Sequence, residues 1–160
     1  MNDAKCLTGS RFRAEIEVSL CLFREALIEM FASLVLFSEV HGTVLKNGEP
    51  VLGAQIVQEV IWSDGNGGTQ TEMCLSDKEG NFSFSAVKKS AGFARILPHE
   101  PVILQKLTIH YEGKVYPAWQ HTKNSYAADS ELDGRPLRLN CELTRSPDFE
   151  GTHYGIGTTG

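Results

Sequence analysis

The sequence predicts an all-β fold, a sandwich of seven strands preceded by an amphipathic helix, and three observations predict it. From Leu34 onward apolar residues alternate with polar ones, the period of a half-buried strand. The alternating runs are short and are separated by turns built from Gly, Asn, Asp and Pro. Before Leu34 the apolar residues recur instead at steps of three and four. Short strands with turns between them and no intervening helices favour a sandwich over a βαβ sheet.

The first element is the helix, placed at about residues 14 to 32, where Leu20, Phe23, Leu27 and Met30 share one face. Glu15, Glu17, Arg24, Glu25 and Glu29 break the apolar run from Ile16 to Phe37, so it is not a plain transmembrane span. The opening Met-Asn-Asp-Ala-Lys lacks the ordered parts of a secretory signal, which favours a cytoplasmic location. A different natural start, for which Met30 is the candidate, would make a periplasmic location the expectation.

Strand-like sequence then runs from Leu34 through Leu45, and Lys46-Asn47-Gly48-Glu49-Pro50 is a tight turn, with Asn-Gly supplying the positive φ values of a two-residue hairpin. Val51 to Ser63 is the expected return strand, with Gly53-Ala54 marking a bulge or a close approach. Asp64 to Gly68 reads as a flexible loop and Thr69 to Ser76 as the next strand. The turn Asp77 to Asn81 leads to a strand that sends Phe82, Phe84 and Ala86 into the core. Lys88 to Gly92 reads as a loop or short helical turn, and Pro98 and Pro101 set the backbone before the strand Val102 to Tyr111. Glu112 to Lys114 turns the chain into Val115 to Thr122. Lys123 to Pro136 has no apolar period and reads as a surface loop. Leu137 to Leu143 is the last strand, with Leu137, Leu139, Cys141 and Leu143 inward. The organisation expected is therefore an N-terminal extension over 1–33, a sandwich over 34–145 and a flexible C-terminal tail over 146–160.

At 160 residues, 41% hydrophobic and 22% charged, the chain suits one globular domain. A formal charge of −5 argues against a nucleic-acid partner and is compatible with a basic partner surface. Cys6, Cys21, Cys74 and Cys141 form no C-x-x-C pair and no zinc spacing, and Cys74 and Cys141 fall in strands, where a free cysteine packs as a small hydrophobe.

Gly42-x-Val44, Gly48-x-Pro50-Val51-x-Gly53-Ala54-x-Ile56 and Ser76-Asp77-x-x-Gly80-x-Phe82-x-Phe84 together resemble the transthyretin-like (Ig-like), carboxypeptidase regulatory-like domains. The whole chain is similar to small bacterial proteins built around such a domain. The resemblance covers about residues 39 to 87 and implies a fold, because each of these residues serves a turn or the core. The family includes an enzyme, the hydroxyisourate hydrolase, which uses histidines and an arginine in a tunnel between subunits and ends in a Tyr-Arg-Gly-Ser-like tail. This chain ends Gly157-Thr-Thr-Gly160 and its histidines have no matching local motif, which weighs against that activity.

The remaining chemistry is sparse. His41, His99, His110, His121 and His153 show no helical i, i+4 pairing, and His110 and His121 sit on opposite arms of a hairpin, where only register decides whether they meet. Asp129-Ser-Glu131-Leu-Asp133-Gly134 resembles half of a calcium loop, but the twelfth position is Asn140, Pro136 interrupts and a strand follows. No nucleophile elbow, P-loop or dinucleotide fingerprint occurs. No cofactor and no metal site is expected.

What remains is recognition. Tyr111, Tyr116, Trp119, His121 and Tyr126 concentrate amphipathic aromatic side chains on one hairpin and the loop after it, and Trp62 stands beside the Asp-Gly-rich loop. The expectation is a non-catalytic protein-binding module, such as an immunity or accessory protein that neutralises or accommodates a toxin or envelope component. A carbohydrate- or envelope-binding sandwich using Trp62, Trp119 and Tyr116 as platforms is the alternative, with a second copy of the chain docking through the N-terminal helix a further possibility.

Overall fold

The computed structural model describes residues 33–63, 67–90 and 100–160. The helix expected at 14–32 lies outside the described residues. One compact unit spans Leu34–Lys89 and Pro98–Gly160, and the other, Met1–Ser33 with Ser90–Leu97, falls almost wholly outside them.

The described chain is all β, apart from a single 3-10 turn at Ser130–Leu132. Its strands are β1 (Ser33–Phe37), β2 (Val40–Lys46), β3 (Glu49–Pro50), β4 (Gln55–Trp62), β5 (Gly68–Leu75), β6 (Asn81–Phe84), β7 (Val87–Ser90), β8 (Ile103–Tyr111), β9 (Lys114–Lys123), β10 (Leu137–Glu142), β11 (Asp148–Glu150), β12 (His153–Gly155) and β13 (Gly157–Thr159). One sheet runs β13-β10-β2-β3, with β6 also on β2. A second runs β11-β12-β9-β8-β4-β5 and is antiparallel throughout, and β1 pairs with β7. The inner faces of both large sheets contribute to one core: Val40, Val44, Phe82, Phe84, Leu139 and Cys141 from the first, Ile56, Val60, Ile103, Leu107, Ile109 and Trp119 from the second. Two buried faces sharing one core make a sandwich.

The Asn47-Gly48 turn forms as expected, with φ of 55° and 81°. The return strand does not. Only Glu49 and Pro50 pair back onto β2, and the chain then crosses to the other sheet, where β4 pairs with β5 and β8. Pro50 offers no N–H to extend the ladder, and Gly53, at φ 74°, lets the backbone turn away. Ser76 fixes the crossing: its hydroxyl donates to the Val51 carbonyl at 2.6 Å and accepts from the Ala54 N–H at 2.9 Å.

Two further expectations are corrected. Of residues 88–92, expected as loop or helical turn, 88–90 belong to β7, which pairs with β1, and 91–92 lie outside the described residues. Residues 146–160, expected as a flexible tail, carry β11, β12 and β13, which extend both sheets. The tail is tied down because its glycines permit close approach: a Cβ on Gly155 or Gly157 would stand 2.4 or 2.7 Å from the Ala118 carbonyl oxygen, and Ile156, fully buried, donates its N–H to Pro117.

The Lys123–Pro136 segment is not merely a solvated loop. Its Glu131 turns inward and forms a buried polar junction with Lys123, each side chain 1% exposed and 3.0 Å apart. The same carboxylate accepts the Ser38 N–H at 3.0 Å, the Ser38 hydroxyl at 2.7 Å and the Gln105 amide at 2.7 Å. Burial opposes ionisation of Glu131, yet the Gln105 and Ser38 hydrogen bonds and the Lys123 charge outweigh it and hold the carboxyl below its ordinary range. Burial pushes Lys123 down, only partly offset by Glu131. The pair therefore favours the carboxylate more than the ammonium, because four donors converge on the former.

Candidate interaction surface

The structure places the sequence-predicted site residues mainly on the inner face of the six-stranded sheet. Tyr111 and Tyr116 lie at one end of that face, since Ile109 opposes Tyr116 and Tyr111 opposes Lys114. Trp62 lies at the other end, opposite Ile103. All three rings are half-buried against the core, as is Tyr126. Lys46 sits 5.5 Å from the Tyr111 ring centre and Lys89 5.7 Å from that of Trp62, so each aromatic end carries a cation.

Trp119 is corrected outright: it is 1% exposed and cannot meet a partner. The cause is a bulge. Leu107 opposes Trp119 but Thr108 opposes Pro117, so alternation breaks and both Ala118 and Trp119 turn inward. Pro117 inside a strand was the sequence signal for this irregularity.

His110 and His121 do not face each other; they oppose Val115 and Gln105. His121 instead opposes His153 of β12. The His153 ring stacks on Trp119, with centroids 4.1 Å apart and planes at 20°, and His121 lies tilted at 5.6 Å. Burial holds the His153 imidazole below its ordinary range, so it packs as a neutral aromatic. The Cys141 thiol, also buried, is pushed up to about 12, and Cys74 and Cys141 are both free. Among the described residues no three His, Cys, Asp or Glu side chains gather closely enough to hold a metal ion. The calcium-like loop in particular has its Glu131 committed to Lys123, Ser38 and Gln105.

The outer faces of the two large sheets differ in chemistry. On the first sheet the register lines up Ser83, His41 and Arg138, then Asn81, Thr43, Asn140 and Thr158. This is a polar face. On the six-stranded sheet one outer row reads Leu75, Gln55, His110, Val115, and the next Met73, Val57, Thr108, Pro117. A third reads Thr71, Glu59, Lys106, Gln120, Tyr154, Phe149, with Lys106 and Glu59 paired at 3.2 Å.

Met73, Leu75, Val115 and Phe149, all on this face, are 62%, 64%, 61% and 73% exposed. Sequence reading missed them. Met73 and Leu75 share one face of the edge strand β5 with Thr69 and Thr71, and alternation alone does not say which face is covered. Phe149 and Tyr154 pack at 5.1 Å beside an open concavity of about 460 Å³ that Gln120, His121, Thr122 and Thr152 also line.

No curated protein and no solved structure matches this chain. Residues 40–146 match the family described as Domain of unknown function (DUF6795), a match that covers most of the chain and the greater part of both large sheets, and the chain belongs to that family.

Proposed function

We propose that this chain is a non-catalytic protein-binding module that meets its partner through the outer face of the six-stranded sheet. The observation that carries this reading is that Met73, Leu75, Val115 and Phe149, each more than half exposed, lie on one sheet face, Met73 and Leu75 towards its β5 edge and Phe149 on its β11 edge, while the opposite outer face is polar. Water-exposed apolar groups gain free energy when covered, so a face that carries several of them favours a partner over bulk water. The net charge of −5 suits a partner with basic surface around its contact. An immunity or accessory role toward a toxin or envelope protein fits a module of this size, and a transthyretin-like type of sandwich fits its turn and core residues.

A photo-cross-linking residue placed at Met73 or Val115 is expected to trap the partner in native extract, while one at Asn81 or Ser83 on the polar face does not. With that partner purified, Phe149→Asp or Met73→Asp is expected to weaken binding by about tenfold or more. Equal trapping from both faces, or unchanged affinity in both variants, would sink the proposal. A second reading is favoured by the Phe149–Tyr154 pair beside Gln120, Thr122 and Thr152: aromatic surface next to amide and hydroxyl groups suits a saccharide. Saccharide binding abolished by Phe149→Ala, without a protein partner, would replace the first reading with this one.

A further inference from the structure

Strand β5 has one backbone edge in use. All eight of its residues, Gly68 to Leu75, pair in register with Trp62 to Gln55 of β4, and β5 ends the strand order of its sheet. Among the described residues its other edge forms no ladder with any strand. Exposed edges are ordinarily protected by Lys, by Pro, by bulges or by being short. β5 has none of these: it reads Gly-Thr-Gln-Thr-Glu-Met-Cys-Leu, is unbulged, and carries one charge, Glu72. Thr69, Thr71, Glu72, Met73 and Leu75 are all exposed.

We propose that β5 pairs antiparallel with β5 of a second copy of this chain, about a two-fold axis at Thr71, joining two six-stranded sheets edge to edge. The register follows from charge and from the ends of the strand. A two-fold perpendicular to the sheet keeps each residue's face, so partners must share parity and the axis passes through one residue. An axis at Glu72 sets two carboxylates against each other, which is destabilising. An axis at Met73 runs off the strand, placing Thr69 against Asp77 and Gln70 against Ser76, whose hydroxyl is already bonded to Val51 and Ala54.

The axis at Thr71 keeps residues 68–74 of both copies within the strand. It sets Gln70 opposite Glu72 twice and Thr69 opposite Met73 twice. The Gln70 amide already donates to the Glu72 carboxylate within one chain at 2.9 Å, so the two groups are matched in reach and chemistry. The joint also runs the two apolar outer faces into one surface. The inference stands independently of the protein-partner reading, because a monomer would leave the outer face of each chain unchanged.

The test is sedimentation of the full chain at micromolar concentration, with variants in β5. The parent is expected to be a dimer. Thr71→Lys, which sets two ammonium groups face to face, is expected to raise the dimer dissociation constant about a hundredfold or more, with the circular dichroism spectrum and urea midpoint extrapolated to the monomer unchanged. Thr71→Cys, whose Cβ atoms would approach within disulfide reach, is expected to give a reducible covalent dimer on mild oxidation well above the parent's background. Thr69→Cys, facing Met73, is not. A monomeric parent, a dimer that survives Thr71→Lys, or equal cross-linking from Thr69→Cys and Thr71→Cys would each overturn the proposal.

Discussion

Replacing Lys123 by methionine removes the cation from the buried junction while keeping most of the side-chain volume. What is left is a Glu131 carboxylate 1% exposed, still bonded by the Ser38 N–H, the Ser38 hydroxyl and the Gln105 amide. Stranding one member of a buried ion pair costs about 3–5 kcal/mol. The three surviving neutral donors place this case at the low end, about 3 kcal/mol. That is a large fraction of the roughly 5–15 kcal/mol that holds a domain folded.

The pH dependence separates this cause from simple loss of packing. In the parent, Glu131 is held below its ordinary range, so its contribution is present above the unfolded value of about 4.3 and is lost as the pH falls through the lower folded value. Without Lys123 one contribution that offsets burial is lost while the Gln105 and Ser38 hydrogen bonds remain, so the folded carboxyl of the variant lies above that of the parent. The deficit of the variant is then full at pH above its own folded value and shrinks as the pH falls through that value towards the parent's lower one, below which the carboxyl is protonated in both proteins. Urea unfolding followed by tryptophan fluorescence at neutral pH and at a pH below the ordinary carboxylate range measures both. A loss below about 1 kcal/mol at neutral pH, or the same loss at both, would refute the assignment of a stability-bearing buried pair.

Three other outcomes follow from the same packing. Glu142 accepts from Thr144 Oγ1 at 2.6 Å and from the N–H groups of Asn47, Gly48 and Thr144, which hold its carboxyl at about 2, so stability is expected to fall as the pH drops from the ordinary carboxylate range towards that value; Glu142→Gln should flatten the acid limb in urea midpoints. Gln58 is buried in β4 with neither amide atom hydrogen-bonded, so Gln58→Leu should raise stability by about 1–3 kcal/mol in the same assay. Gly42→Ala should destabilise by about 1–3 kcal/mol, because its Cβ would stand 2.2 Å from the Phe82 ring, and thermal unfolding will register the drop.

Much of the strand pattern was legible from residue order alone, and for a local reason. Alternation over Val102–Tyr111, Val115–Thr122 and Leu137–Leu143 and the positive-φ demand at Asn47-Gly48 are written within a few residues of chain, and the corresponding strands and turn lie where they were expected. The inward set Leu137, Leu139, Cys141 and Leu143 is buried as its period required. Partner choice was not local. Nothing near Val51 announced that β4 would leave β2 for the other sheet, since that depends on Ser76, 25 positions on, gripping Val51.

The same holds for the surface. Aromatic content pointed to Tyr111, Tyr116, Trp119, His121 and Tyr126, but a bulge at Pro117 and the return of the C-terminal segment over Ala118 turned Trp119 and its neighbours inward. A polar, glycine-rich stretch reads as a tail until its glycines are seen to be the close-contact points. Composition and periodicity thus determined that the chain from Leu34 onward is built of strands, where most of the described strands lie and which residues can turn. Tertiary structure decided which face of each strand is covered, because coverage is set by segments distant in sequence. It therefore also decided that Met73, Leu75, Val115 and Phe149 are left exposed while Trp119 is buried.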